Sequence, residues 1–112
     1  MSVSKRFRAK KLTVSFYVSK EASKEAVAME LLCEHNGWEP VAMKKQSNGT
    51  YRGSITVDRG VQDAYQYRFK LTYADGTSKY DNDWNADDYV ANPFGGENSI
   101  FYAKQDEAEE NS

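Results

Sequence analysis

Three stretches of this chain alternate apolar and polar residues with a period of two. Leu12, Val14, Phe16 and Val18 form the first apolar face. Tyr51, Gly53, Ile55 and Val57 form the second, interleaved with Arg52, Ser54, Thr56 and Asp58. Tyr65, Tyr67, Phe69, Leu71 and Tyr73 form the third, interleaved with Gln66, Arg68, Lys70 and Thr72. A period of two places one set of side chains on each face of a strand, so each run predicts a half-buried β-strand. Ser99 to Ala103 is a shorter candidate of the same kind. Ser47-Asn48-Gly49, Arg59-Gly60 and Ala74-Asp75-Gly76 punctuate the runs as turns. Several short strands separated by turns predict an antiparallel β-sandwich.

The segment from Ser23 to Gly37, SKEAVAMELLCEHNG, reads two ways. Its good helix formers, a Ser at the start and a Gly at the end suit a helix. Val27, Met29, Leu31 and Cys33 also share one face if it is a strand. Local sequence leaves both open.

At 112 residues the chain can bury one modest core. Its 39% hydrophobic and 29% charged residues are those of an ordinary globular domain. No apolar run is long enough to span a bilayer. The start of the chain does not lead into a signal-peptide core, because charges continue to Lys11. The expectation is a cytoplasmic protein with no membrane partner. Asn48-Gly49-Thr50 matches a glycosylation sequon and is read as a hairpin turn. A net charge of −2 and the absence of a reader motif argue against nucleic acid. Residues 1–10, with the basic run SKRFRAKK, are expected as a flexible end. Residues 104–112, ending the chain in QDEAEENS, are expected as an acidic disordered tail.

Little in the chain suggests catalysis. Cys33 is the lone cysteine, which excludes an internal disulfide and suits a small buried hydrophobe. His35, the lone histidine, is two residues away, but nothing else supports thiol chemistry. Asp81, Asp83 and Asn85 match the first positions of a calcium loop. Ala86 and Asn92 then stand where Gly and Glu are required. No cofactor or metal is expected. Trp38, Tyr80 and Trp84 differ from the other aromatics, because they sit in turn-like sequence beside Asn, Gly and Asp. Aromatic faces beside planar polar groups suit carbohydrate, whose C–H faces stack on flat rings.

Four short motifs occur in order: NGW (Asn36 to Trp38), YQYRFKL (Tyr65 to Leu71), DGTSKYDND (Asp75 to Asp83) and DDYVANPFGGENSI (Asp87 to Ile100). Together they resemble the early-set domain of isoamylases and glycogen branching enzymes. This is the family 48 carbohydrate-binding module, which includes the glycogen-binding domain of the AMP-activated protein kinase β subunit. The likeness covers residues 11–103. It implies an immunoglobulin-like antiparallel β-sandwich, with Ala26 to Glu34 a strand. It implies a non-catalytic module that binds glycogen or a related α-1,4-glucan. Trp38 then matches the first aromatic platform, Arg68 the basic residue, Asn98 the asparagine and Phe94 a sugar-contacting apolar residue. The second platform departs from the pattern: Tyr80 fits when the motif is anchored on Asp83, Ser78 when it is anchored on Asp75, and Trp84 could substitute. That departure leaves a second implication open. The sandwich would be a docking or regulatory subunit for a glycogen-metabolising enzyme or a kinase, its sugar site degenerate.

Overall fold

In the computed structural model the described residues are 2–23, 25–83, 85–93 and 95–104. They form ten strands: β1 (Ser2–Phe7), β2 (Lys11–Val18), β3 (Ala26–Cys33), β4 (Val41–Ala42), β5 (Lys44–Lys45), β6 (Tyr51–Asp58), β7 (Ala64–Tyr73), β8 (Ser78–Asp81), β9 (Asp88–Ala91) and β10 (Glu97–Tyr102). A 3-10 turn at Glu34–Asn36 is the helical element among the described residues, and none of their helices is long and apolar enough to cross a membrane. The smaller sheet has the order β1-β2-β6-β5. The larger has β4-β3-β7-β10-β9, with β8 also on β7. All pairings are antiparallel. The architecture is an antiparallel sandwich, as the alternation predicts, and it is immunoglobulin-like, as the resemblance implies.

The three alternating runs are β2, β6 and the main part of β7, and their apolar faces meet between the sheets. Leu12, Val14, Phe16 and Val18 are fully buried from one side, and Met29, Leu31, Tyr67, Phe69 and Phe101 from the other. Phe16 ties the layers together. Its ring centroid lies 4.8 Å from that of Tyr67, 6.3 Å from Phe69 and 6.0 Å from Phe101, in tilted and edge-on arrangements that ring quadrupoles favour.

One sequence expectation is overturned, and the segment left open between helix and strand is decided as the resemblance implies. The N-terminal segment expected as a flexible end contains a strand, because Ser2–Phe7 pairs along β2. Val3 and Phe7 also pack against the core, so the sandwich begins before residue 11. The segment that read as helix or strand is a strand, placed between β4 and β7. Here tertiary pairing overrides local helix propensity. Glu34, however, already belongs to the 3-10 turn. Val27 does not share the buried face of Met29, Leu31 and Cys33. A register shift between Ala26 and Ala28 turns it outward, and it is 59% exposed.

The chain changes sheets at Met43. β4 pairs with β3, Met43 N–H donates to the Met29 carbonyl, and β5 pairs with β6. This crossing closes one side of the sandwich. It needs Gly53 on β6, because a Cβ there would sit 3.0 Å from Met43 Cγ. Gly53→Leu is therefore expected to lower stability by about 1–3 kcal/mol through overpacking. Urea denaturation checks this, and a midpoint unchanged from wild type would refute the packing role of Gly53.

Candidate functional site

Cys33 and His35 are not poised for catalysis. Cys33 is fully buried, and burial pushes its thiol up to about 12, so at neutral pH it is not a nucleophile. Burial also lowers the pKa of His35, which favours the neutral imidazole. Among the described residues no group of three His, Cys, Asp or Glu could hold a metal ion.

The carbohydrate candidates lie mainly on the outer face of the larger sheet. On β7, Tyr67 and Phe69 point inward, so Arg68 points outward between them. β3 pairs along one edge of β7, with Leu32 opposite Arg68. The other edge is shared end to end. β10 pairs with residues 64–67, and β8 pairs with residues 69–72. Arg68 falls at the junction of these two strands.

The β8 register sets Tyr80 opposite Lys70, hence diagonal to Arg68 on the same face. The Arg68 guanidinium carbon lies 5.2 Å from the Tyr80 ring centroid. This cation–π contact fixes the orientation of a ring that remains 53% exposed. The Nε–H of Arg68 is buried with no hydrogen-bond partner among the described residues. The structure brings Tyr80, rather than Ser78, against the basic residue.

Asp83 anchors the chain as it leaves β8. It is fully buried, its carboxylate accepts from the Tyr67 hydroxyl at 2.8 Å and from the Asn85 N–H at 3.0 Å. Its own N–H donates to Ser99 Oγ at 2.8 Å, and its carbonyl accepts from the Tyr89 hydroxyl at 2.6 Å. Burial, followed by the adjacent carboxylate, raises the pKa of the Tyr67 phenol, which stays protonated as the donor. Within the calcium-like motif, Asp83 is thus used to tie the end of β8 to β7 through its carboxylate and to β10 through its backbone.

Asn98 lies on β10, one residue before the inward Ser99, so it faces outward as Arg68 does. It is nonetheless buried. Its Nδ2 donates to Gln66 Oε1 at 3.0 Å, and its Oδ1 accepts from Asn92 Nδ2 at 3.1 Å. Asn98 therefore braces Gln66, which is more accessible on β7. The sequence reading missed Gln66 and Asn92. Alternation already put Gln66 on the face of Arg68, but its pairing with Asn98 depends on the β7–β10 contact.

Trp38 stands in the loop after β3, on the opposite flank of β7 from Tyr80. It has φ +67° and follows Gly37 at φ +74°. The left-handed region is unusual for a bulky side chain, so the backbone here is strained. The loop is over-determined. Trp38 N–H donates to the Cys33 carbonyl at 3.1 Å, and Gly37 N–H to the Glu34 carbonyl at 3.1 Å. The Asn36 amide brackets Glu39, donating to its carbonyl at 3.2 Å and accepting from its N–H at 3.1 Å. This locked turn presents a side chain that is 36% exposed. Trp84 and Phe94 lie outside the described residues, as does the acidic tail 105–112.

The structure thus joins Arg68 and Tyr80 in direct contact, sets a braced Asn98–Gln66 pair on the same face, and holds Trp38 in a rigid loop on the other flank. These are groups that stack and hydrogen-bond. No family model matches the chain, and no curated protein matches it by sequence. Solved structures do. The enterobactin esterase from Shigella flexneri, in the presence of 2,3-di-hydroxy-N-benzoyl-serine, superposes with a TM-score of 0.64 at 11% identity over 90% of this chain and 32% of its own. A structure of enterochelin esterase from the same organism gives 0.64 and 11% over 95% of this chain and 33% of its own. Pullulanase type I from Bacillus subtilis, complexed with maltose, gives 0.59 and 17% over 96% of this chain and 14% of its own. At these identities the likeness is one of fold: the chain corresponds to one β-sandwich portion, a third or less, of much longer proteins.

Proposed function

We propose that this chain is a non-catalytic module that binds glycogen or a related α-1,4-glucan on the outer face of the larger sheet. The observation that carries the reading is the exposed Tyr80 ring held by Arg68, with Gln66 braced by Asn98 beside it. A glucosyl C–H face would stack on Tyr80, and a second on Trp38. Arg68 and Gln66 would supply hydrogen bonds to hydroxyls. The resemblance of the motifs to α-glucan-binding modules supports this reading. So does the fold shared with a pullulanase solved with maltose. Binding through so small a surface would be weak, with a dissociation constant of roughly micromolar to millimolar.

The test is native electrophoresis in gels containing glycogen, amylose or no polysaccharide. Wild type is expected to be retarded and Trp38→Gly to lose most of the retardation. Glycine also relieves the left-handed strain at this position. Stability should therefore change by less than about 1 kcal/mol if the indole serves a ligand rather than packing. Retardation that survives the substitution would refute the platform role of Trp38.

A docking subunit for a carbohydrate-active enzyme or a kinase is the second reading. It is favoured by the fact that the matching fold is a minor portion of longer enzymes in the structural neighbours. The amide of Asn98 is also already committed within the protein. Unchanged wild-type mobility in every gel would favour this reading.

A further inference from the structure

On the smaller sheet, an open groove of about 490 Å³ runs beside β5 and β6, lined by Lys44, Lys45, Gln46, Arg52, Gly53 and Ser54. Its charge arrangement is unusual. The register sets Lys44 directly opposite Arg52, and like charges opposite one another across an antiparallel pair are unfavourable. At the other end of β6, the same face shows the favourable alternative. There Lys11 sits opposite Asp58 and forms an ion pair with it. No carboxylate lines the groove, although the chain as a whole carries more acidic than basic residues.

Lysines on an edge strand also discourage sheet-to-sheet association. That accounts for Lys44 and Lys45 on β5. It does not account for Arg52, which lies on the interior strand β6. Arg52 is also positioned, since its guanidinium carbon is 5.8 Å from the Tyr17 ring centroid. Beside it the Ser54 hydroxyl lies 3.0 Å from that of Ser15. A planar guanidinium, the flexible Lys44 ammonium group and a hydroxyl on one face form a donor set suited to a tetrahedral dianion.

We propose that this groove is a second binding site, on the opposite sheet from the glucan face, and that its ligand is a phosphate ester. The ester could be carried on a polysaccharide or on a small phosphorylated sugar, since the recognising chemistry is the same. An anion bound there would also offset the repulsion between Lys44 and Arg52.

The experiment is a titration of the ¹⁵N-labelled full chain with inorganic pyrophosphate, with glucose 6-phosphate, and with phosphate-bearing and dephosphorylated starch. Sodium chloride at matched ionic strength is the control. Saturable shifts are expected at the amides of Lys44, Lys45, Arg52 and Ser54. Arg52→Gln and Lys44→Glu should each weaken pyrophosphate binding by about tenfold or more. Lys10→Gln, an exposed change elsewhere, should not. Lys44→Glu should at the same time raise the melting temperature in the absence of ligand, because it turns a like-charged pair into an opposite one. Saturable binding of glucose 6-phosphate supports a free ester. A gain for phosphate-bearing over dephosphorylated starch supports a polymer-borne one. Shifts that do not saturate, that spread over lysines generally, or that persist in Arg52→Gln would overturn the proposal. Pyrophosphate and glucose 6-phosphate contain no glucan chain, so failure here is separable from failure of the glucan reading.

Discussion

Asp83→Ala is expected to lower the free energy of unfolding by about 2–4 kcal/mol. The carboxylate is fully buried and accepts hydrogen bonds from Tyr67 and Asn85. Removing it strands the Tyr67 hydroxyl in the core, away from water. An unpaired buried donor costs about 1–3 kcal/mol, and the lost charge-assisted bond adds to that. Tyr67→Phe is the complementary change. It keeps the aromatic packing against Phe16 and Phe101 and removes the hydroxyl, so its cost should be about 1.5–3 kcal/mol. The two losses should not add, because they break the same bond. Urea denaturation of both single variants and the double variant measures this. A single-variant loss below about 0.5 kcal/mol would show that the Tyr67–Asp83 bond is not a structural tie. The effect reaches the candidate site, because the Asp83 carboxylate ties the chain leaving β8, which carries Tyr80, to Tyr67 on β7.

The second large effect concerns binding. Tyr80→Ala and Arg68→Ala are each expected to weaken the affinity for maltoheptaose by about tenfold, or about 1.4 kcal/mol. Tyr80→Ala removes the stacking surface itself. Arg68→Ala removes a hydrogen-bond donor and also the contact that fixes the ring. The ring would then have to be ordered on binding, which costs affinity. The double variant should lose less than the sum, because once the ring is absent the positioning role of Arg68 has no object. Both side chains point away from the core, so stability should stay within about 0.5 kcal/mol of wild type. Arg68→Ala with unchanged affinity would sink the claim that the cation–π pair is part of the site.

The sandwich was legible wherever one face of a strand is buried. In β2, β6 and β7 the period of two names the core residues, because burial selects apolar side chains at every second position. It failed where pairing rather than pattern decides structure. The helix-forming residues of β3 become a strand only because β4 and β7 flank them. Val27 leaves the apolar face at a register shift that no local signal announces. In β1, Ser4, Lys5 and Arg6 disguise an edge strand as a solvated end. Their charge fits an edge, and Lys5 pairs with Asp87 of the other layer.

The candidate site was legible by residue type but not by role. Alternation placed Arg68 outward, and the structure agrees. The contact between Arg68 and Tyr80 required the β7–β8 register, which depends on how the Ala74–Thr77 turn closes. Asn98 looked like a ligand contact, but its amide is engaged by Gln66 and Asn92. Asp83 looked like half of a metal loop, and its partner Tyr67 lies 16 residues away on the neighbouring strand. Side-chain hydrogen bonds between distant segments leave no periodic trace in a sequence.

The central claim is that the outer face of the larger sheet binds an α-glucan. The most direct measurement is a maltoheptaose titration of the labelled chain, followed residue by residue through its amide resonances. Saturable shifts are predicted at Gln66, Arg68, Tyr80 and the Asn36–Glu39 turn, with the Lys44–Arg52 groove silent. No shift at millimolar maltoheptaose, or shifts confined to residues outside that face, would contradict the claim.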